Sequence, residues 1–552
     1  MEDEIAQAIL KRFDVARRNR GTWESHWEEV ASRVLPRYSQ NFSTDGFGTL
    51  LTTGAKKTQQ LVDATASLAL PKFAAVVESM LTPRNSRWHR LRPLDPVLQR
   101  NRVAQEYFED VADVLFRYRD APRAGYASQQ YEVYLSLGAF GTGAMFVDAL
   151  DDRFGGGLRY RAIHLSEIYF LENHQGIIDT AFRKFSLTAR QAMQQYGDKV
   201  PQDIKDAAGE EEKKEKPFWF VHCVKPREDV EGFDPERADM KGMPYASFTV
   251  SLTGKTVVKE GGFNVFPYPI SRYVVGPGET YGRSPAMQVL PAIKTLNEQK
   301  KTLLKQGHRV VDPILLMNDD GVLDGNKLRP GMAIAGGVTA DGRPLVHPLA
   351  TGNISFAKEM MQDERAAIND AFLVSLFQIL VDTPQMTATE VLSRAREKGV
   401  LLSPTMGRQQ SEFLGPLIER ELDILSQQDL LPPMPPIVAQ ALGEFDIVYE
   451  SPLSRAQRAE QASGLLQIVD WMRQGIAVTG DPSPMDWINW DVAVPELADI
   501  TALPARWLHS DDQVMGIREQ RAQQEQVQQA ISAAPAAAGL LKASGGGGTV
   551  GG

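Results

Sequence analysis

Leu252-Thr253-Gly254-Lys255-Thr256 carries the last three letters of a phosphate-binding loop, where backbone N–H groups and a lysine cradle phosphate oxygens. The full motif needs another glycine five residues before its Gly-Lys-Thr, and Thr249 stands there. The surrounding pattern is also that of a β-hairpin, not of a strand leading into a helix. Gly138-Ala139-Phe140-Gly141-Thr142-Gly143 has the outline of a dinucleotide loop but precedes a strand, so a tight turn is expected. Asp319, Asp320 and Asp324 lack the closing glutamate of a calcium loop and read as turn residues. The eight histidines contain no His-x-x-x-His pair, and the single cysteine, Cys223, has neither a disulfide partner nor a histidine at zinc spacing. Cys223 is expected to be a buried, inert thiol. No catalytic residue, metal ligand or cofactor site is assigned, and the expectation is a protein that is not an enzyme.

One stretch carries charge in a useful pattern. Between Pro291 and Arg309 there are five basic residues (Lys294, Lys300, Lys301, Lys305, Arg309) against one acid, Glu298, a net +4 inside a chain of net charge −10. On a helix, Val289, Ala292, Leu296, Gln299 and Leu303 would form the packing stripe. Lys294, Glu298, Lys301, Lys305 and His308 then repeat at four-three-four-three spacing on another face. On a lone molecule such a face is simply solvated. Repeated around a ring it would make bands of positive charge, whose flexible ammonium groups touch phosphate without reading bases.

The elements that must position these residues follow from periodicity. Trp23, Trp27, Val30 and Val34 lie on one helical face until Pro36. A second helix is expected over 55–81, kinked at Pro71, and a third with Val103, Tyr107, Val111, Val114 and Tyr118 on its buried stripe. From Gly138 the period becomes that of strands, with Gly143–Val147 paired to Leu158–Ile163 across a glycine turn. Strands continue over 177–185 and 218–224, separated by a short helix (189–196) and a charged linker (201–216). A hairpin over 246–259 turns at Thr253-Gly254.

Ser284-Pro285 opens a helix to about Arg309, since serine caps and proline suits the first helical position. A Gly-, Asp- and Pro-rich insert (310–352), with turns at Asp319-Asp320-Gly321, Asp324-Gly325 and Asp341-Gly342, separates it from a second helix over 354–377. A polar link, 381–386, leads to a capping box at Thr387 and Glu390 and a long helix interrupted near Ser403-Pro404 and Gly415-Pro416. A strand at 445–449 precedes a helix opened by Ser454 and Gln457 that carries Leu465, Ile468, Val469 and Met472. A Gln-rich helix over 511–530 and a low-complexity, disordered tail follow.

At 552 residues and 43% hydrophobic, the chain can bury cores for roughly three or four domains. Sixty Lys+Arg against 70 Asp+Glu argue against a broad basic grip on nucleic acid and do not exclude a surface past which DNA slides. The acidic start, Met1-Glu2-Asp3-Glu4, lacks a signal peptide's basic and apolar regions. No apolar run approaches the roughly 20 residues of a bilayer span, so a soluble, intracellular protein without membrane contact is expected.

Several strings resemble the portal, or head-to-tail connector, family of short-tailed bacteriophages. They are Leu137–Gly143, Arg190-Gln191 with Gln195-Tyr196-Gly197, Tyr281-Gly282-Arg283-Ser284-Pro285-Ala286, and Leu290-Pro291-Ala292-Ile293-Lys294-Thr295-Leu296-Asn297. Thr387–Val391 with Arg396-Glu397-Lys398, Pro416–Arg420 and Val514–Gln524 complete them. The resemblance runs to about residue 530. It implies an α+β, mainly α-helical portal-type fold closing into a ring, usually of twelve subunits. Its parts would be a wing (1–283), a two-helix stem (284–309 and 353–377) flanking a clip (310–352), a channel loop and long wing helix (378–450), a crown (451–530) and a disordered tail (531–552).

It further implies a place at one capsid vertex of the virion, reached from the host cytoplasm during assembly. Double-stranded DNA would pass through the ring during packaging and ejection. The partners implied are capsid and scaffolding proteins, the terminase packaging motor, which holds the ATPase, and tail adaptor proteins. Lys294, Lys301, Lys305 and His308 would line the channel, and Asp382, Thr383, Pro384 and Gln385 would form the channel loop. The competing readings are another virion component, such as a tail adaptor or scaffold-associated protein, and a packaging ATPase or nuclease. The former would not need a helix–insert–helix unit inside a larger wing; the latter would need a complete P-loop or clustered carboxylates.

Overall fold

A computed structural model describes residues 2–525 apart from 43–53, 55, 85, 152–154, 230–233, 235, 236, 238, 318–336, 350–353, 376–402, 442, 451, 481, 482, 501–506 and 510–512. Helices α1 (Glu2–Asn19), α2 (Gly21–Val34) and α3 (Thr65–Leu81), strand β1 (His89–Pro93), and helices α4 (Arg102–Arg119) and α5 (Tyr126–Phe140) come first. Strands β2 (Thr142–Ala149), β3 (Leu158–Ile163), β4 (Ile168–Glu172) and β5 (Ile178–Thr188) follow. Next come α6 (Ala189–Tyr196), α7 (Gln202–Gly209), β6 (Pro217–Pro226), β7 (Tyr245–Ser251), β8 (Val257–Phe263) and β9 (Ile270–Arg272). Then come α8 (Pro285–Gln288), α9 (Leu290–Val311), β10 (Leu315–Met317), β11 (Val346–Pro348) and α10 (Ile354–Ala371). Beyond 402 lie α11 (Ser403–Gln409), a π-helical turn (Gln410–Leu414), α12 (Gly415–Gln427), α13 (Pro436–Gln440), β12 (Phe445–Tyr449), α14 (Pro452–Thr479), α15 (Trp490–Ile500) and a helical stretch at 513–525. The fold is mixed α+β, as expected. No helix among the described residues is long and apolar enough to cross a membrane.

The chain forms two compact units: residues 1–88 with 115–431, and 89–114 with 432 onward, so the division falls inside α4. In the first unit a five-stranded antiparallel sheet, ordered β4-β5-β6-β7-β8, has both faces covered. Alternation along β6 explains this: Val221 and Cys223 face α1 through Phe13 and Ile9, while Phe218 and Phe220 face Ala192, Tyr196 and Ile204 of α6 and α7. Thr188 and Gln191 close a capping box at the start of α6. A three-stranded sheet, β3-β2-β9, packs beside the fully buried end of α5. In the second unit β1 and β12 pair antiparallel, His89 opposite Tyr449, and Tyr107, Phe108 and Val111 of α4 are buried.

Several expectations need correction. Helix α3 begins at Thr65, not near residue 55; Ala64 at its N-cap has no capping side chain, and the Asp63 carboxylate just before it accepts from the Thr65 N–H at 2.9 Å. On α4 the buried apolar residues are Ala104, Tyr107, Phe108, Val111, Ala112 and Leu115; of the expected stripe Tyr107 and Val111 are buried, Val114 and Tyr118 half-buried and Val103 exposed. Gly138 lies inside α5; the chain turns only at Gly141, whose φ of +76° ends the helix. The charged stretch 201–216 is not a bare linker, since Ile204 and Ala207 bury one face of α7. Helix α10 ends at Ala371, and Leu373 takes φ +56°. Near Gly415-Pro416 the helix does not break: the π-helical turn precedes Pro416, whose missing N–H would leave a gap in a regular ladder. Helix α14 starts at Pro452, and Ile468 is exposed. The turns at Asp319-Asp320-Gly321 and Asp324-Gly325, the capping box at Thr387 and Glu390, and the tail from 526 lie outside the described residues.

Candidate functional site

Two of the sequence strings meet in space and launch the helices of interest. The carbonyl of Gly141 accepts from the Tyr273 N–H (2.9 Å), and the Gly282 N–H donates to the Thr142 hydroxyl (2.8 Å). The Ser284 hydroxyl donates to the Ala139 carbonyl (2.8 Å) and accepts from the Met287 N–H (3.0 Å), capping α8. The approach needs glycine on both sides: a Cβ on Gly141 would lie 2.2 Å from the Gly282 carbonyl oxygen, and one on Gly282 would lie 2.3 Å from that of Gly141.

From this joint α9 runs out beside α10, with the β10–β11 pair between them in sequence. The buried residues of α9 are Leu290, Ile293, Leu296 and Asn297. The expected packing stripe is therefore rotated: Leu296 is buried, but Val289, Ala292, Gln299 and Leu303 are only half-buried. Asn297 sets this orientation. Its side-chain oxygen accepts from the N–H groups of Val62 and Asp63 (3.0 and 2.9 Å), and its amide donates to the Ile293 carbonyl (2.8 Å). Asp63 itself is 4% exposed. Its carboxylate accepts from Lys300 of α9 (3.3 Å) and Arg365 of α10 (2.8 Å), besides the Thr65 hydroxyl. Burial pushes the Asp63 carboxyl up, but the hydrogen bonds from Arg365 and Thr65 outweigh it and bring it down to about 2.

Lys294, Lys301, Lys305 and His308 are all exposed on α9. Two of the lysines have acidic neighbours: Lys294 contacts Glu29 of α2 at 2.7 Å, and Lys301 contacts Glu298 at 2.6 Å. Each of these carboxyls is held below the usual glutamate range, chiefly by the lysine's own hydrogen bond. Exposed pairs of this kind contribute about 0–1 kcal/mol, so neither carboxylate ties its lysine down strongly.

Asp382, Thr383, Pro384 and Gln385 lie outside the described residues. On either side of that segment, Leu373 and Met406 both pack against Val76 of α3. Thr253-Gly254-Lys255 is the β7–β8 turn, with Lys255 at φ +52°, as the hairpin reading required. Gly342 turns at φ +77°, with Thr339 N–H bonded to the Arg343 carbonyl. Cys223 is buried, its thiol pushed up to about 12 by burial. Among the described residues no group of three or more His, Cys, Asp or Glu could hold a metal.

Sequence reasoning missed Asp63, whose only local signal is an Asp-Ala-Thr run before a helix. It also missed a buried pair. Arg119 Nε donates to Glu421 Oε1 at 3.0 Å, Tyr160 donates to the same oxygen at 2.6 Å, and both charged side chains are wholly buried.

Residues 6–508 match the family described as bacteriophage head to tail connecting protein. The chain is 28% identical to the portal protein of Salmonella phage epsilon15, over 98% of this chain and 95% of that one. It is 27% identical to the probable portal protein of Bordetella phage BPP-1, over 96% and 93% of the two chains. With a match across nearly all its length, and with Gly141 and Gly282 locking together the two strings that open α8 and α9, the chain belongs to the bacteriophage head-to-tail connecting protein family.

Proposed function

We propose that the chain is one subunit of a closed portal ring of twelve copies, set at one capsid vertex of the virion and assembled in the host cytoplasm. Double-stranded DNA passes through its bore on packaging and on ejection. Helices α9 and α10 form the stem and the β10–β11 insert the clip. The packaging motor, terminase, docks on the clip and is later replaced by tail adaptors, while capsid and scaffolding proteins hold the rim. The 382–385 segment projects inward as a channel loop. The subunit is structural, and the ATPase belongs to the motor.

The observation that carries this reading is the exposed basic face of α9 beside α10, in a chain whose family joins head to tail. On one molecule that face is unremarkable. Around an axis it offers a passing polyanion rows of loose, exchangeable contacts within an acidic protein. Negative-stain images of the purified assembly, viewed down its axis, should show rings with a bore wide enough for a duplex. A preparation that is monomeric at every concentration overturns the proposal. Replacing Lys294, Lys301 and Lys305 together by alanine should alter DNA packaging or retention and leave ring assembly intact. A map that buries those ammonium groups between subunits, or puts 382–385 on the outer wall, refutes the corresponding assignment.

A further inference from the structure

One buried carboxylate stands where three helices meet. Asp63 lies two residues before the start of α3; Lys300 reaches it from α9 and Arg365 from α10. The two cations stand at similar distances along the chain from the insert that separates their helices, so a single anion receives matching points of both. The burial is unequal. The Asp63 side chain is 3% exposed, against 32% for Lys300 and 36% for Arg365. Either cation can turn to water if released, but the carboxylate cannot, so Asp63 is the fixed point and the cations are its arms. Its backbone is tied to the same place, since Asn297 accepts from the N–H groups of Val62 and Asp63. Toward the insert, residues 301–312 of the α9 side are mostly exposed, as are Lys358, Glu359 and Met360 of α10, and Met361 is the buried residue there. Away from the insert, Ile368 and Phe372 are buried, the latter edge-on to Phe73 of α3.

We propose that Asp63 is a positioning residue that holds α9 and α10 as one rigid pair against α3, and thereby sets where Lys294, Lys301 and Lys305 stand. The part of this that concerns the lysines rests on the channel reading above; the clasp itself does not. Asp63 can be tested cleanly because the Oδ1 that accepts from Thr65 and the Oδ2 that faces the two cations are different atoms. Asp63→Asn keeps an Oδ1 acceptor for the Thr65 N–H and replaces the charged Oδ2 that holds the two arms by an amide NH2, which cannot accept from them.

The experiment is hydrogen–deuterium exchange on the full-length protein. Asp63→Asn should speed exchange in both 301–311 and 354–365, on the order of tenfold, and leave the β4–β8 sheet unchanged. Lys300→Met should speed only the α9 segment, Arg365→Met only the α10 segment, and Lys300→Arg neither. If Asp63→Asn leaves both helices protected, or loosens the sheet equally, the clasp is refuted. DNA retention in particles carrying the same variants separates the two claims. If the exchange changes are seen and the triple lysine variant also alters retention, but Asp63→Asn does not, the positioning role fails. If neither variant alters retention, the channel role of the lysines fails while the clasp stands.

Discussion

Arg119 and Glu421 are opposite charges with no solvent to share, and that makes their pairing costly to break. The pair lies under Trp88 and Phe116, with the guanidinium 4.7 Å from the Trp88 ring centre, and Tyr160 completes the carboxylate's partners. Glu421→Gln leaves a buried guanidinium without its anion, and a loss of about 3–5 kcal/mol is expected, read as a lower denaturant midpoint. Replacing both residues by apolar ones of similar size should recover much of it. His222 gives a second prediction. It is hydrogen-bonded to the Tyr268 hydroxyl (2.6 Å) and the Ser247 hydroxyl (2.9 Å), and burial, aided by Arg183, lowers its pKa to about 3. The unfolded chain takes up that proton near pH 6.5, whereas the folded one resists until about 3. Stability is therefore full above 6.5 and falls as the pH drops, by up to about 1.4 kcal/mol per pH unit for each such histidine. His164, also lowered to about 3, adds to the slope. Denaturation midpoints between pH 7 and 4.5 should fall steadily, and less steeply in His222→Gln.

Among the elements, the Gly141–Gly282 contact fixes the direction in which α8 and α9 leave the core. Gly141→Ala meets both a left-handed φ and a backbone oxygen, and should cost about 2 kcal/mol or more. Gly176→Ala, with φ +77° but nothing within 4 Å, should cost only the conformational part, about 1 kcal/mol. Thermal melts of the two variants make the comparison. This contact also shows what was legible. The glycines stood in the two strings, but that they touch is a long-range fact no local pattern carries. Elements with a local cause came through: the short helix at 189–196, the helix start capped by Ser284 and the strand over 218–224. Boundaries set from a distance did not. The start of α3 lies beside Asp63, whose arms come from residues far along the chain, and the orientation of α9 depends on a buried Asn297 that a hydrophobic stripe cannot register. The lysine face was readable because exposure is the default for lysine, whereas the buried Arg119–Glu421 pair was not, for the same reason.

At the scale of the whole molecule the net charge of −10 is the frame for any DNA contact. In the proposed ring an acidic body would keep a duplex from lodging, and a few exposed lysines on each copy would keep it from being expelled. Since each phosphate contact releases counterions, association of duplex DNA with the purified assembly should weaken as salt rises, with a log–log slope of roughly −0.9 per contact. Alanine at Lys294, Lys301 and Lys305 should flatten that slope, and an unchanged slope would show that the contacts lie elsewhere. The lone cysteine makes such work practical. Cys223 faces inward from the middle of the central sheet, its sulfur too deeply enclosed and too reluctant to ionise to meet a maleimide. Any cysteine introduced on the surface would therefore be the one reactive thiol in its subunit. A fluorophore or spin label could then be set on the outer turns of α9 without first stripping the native chain of sulfur.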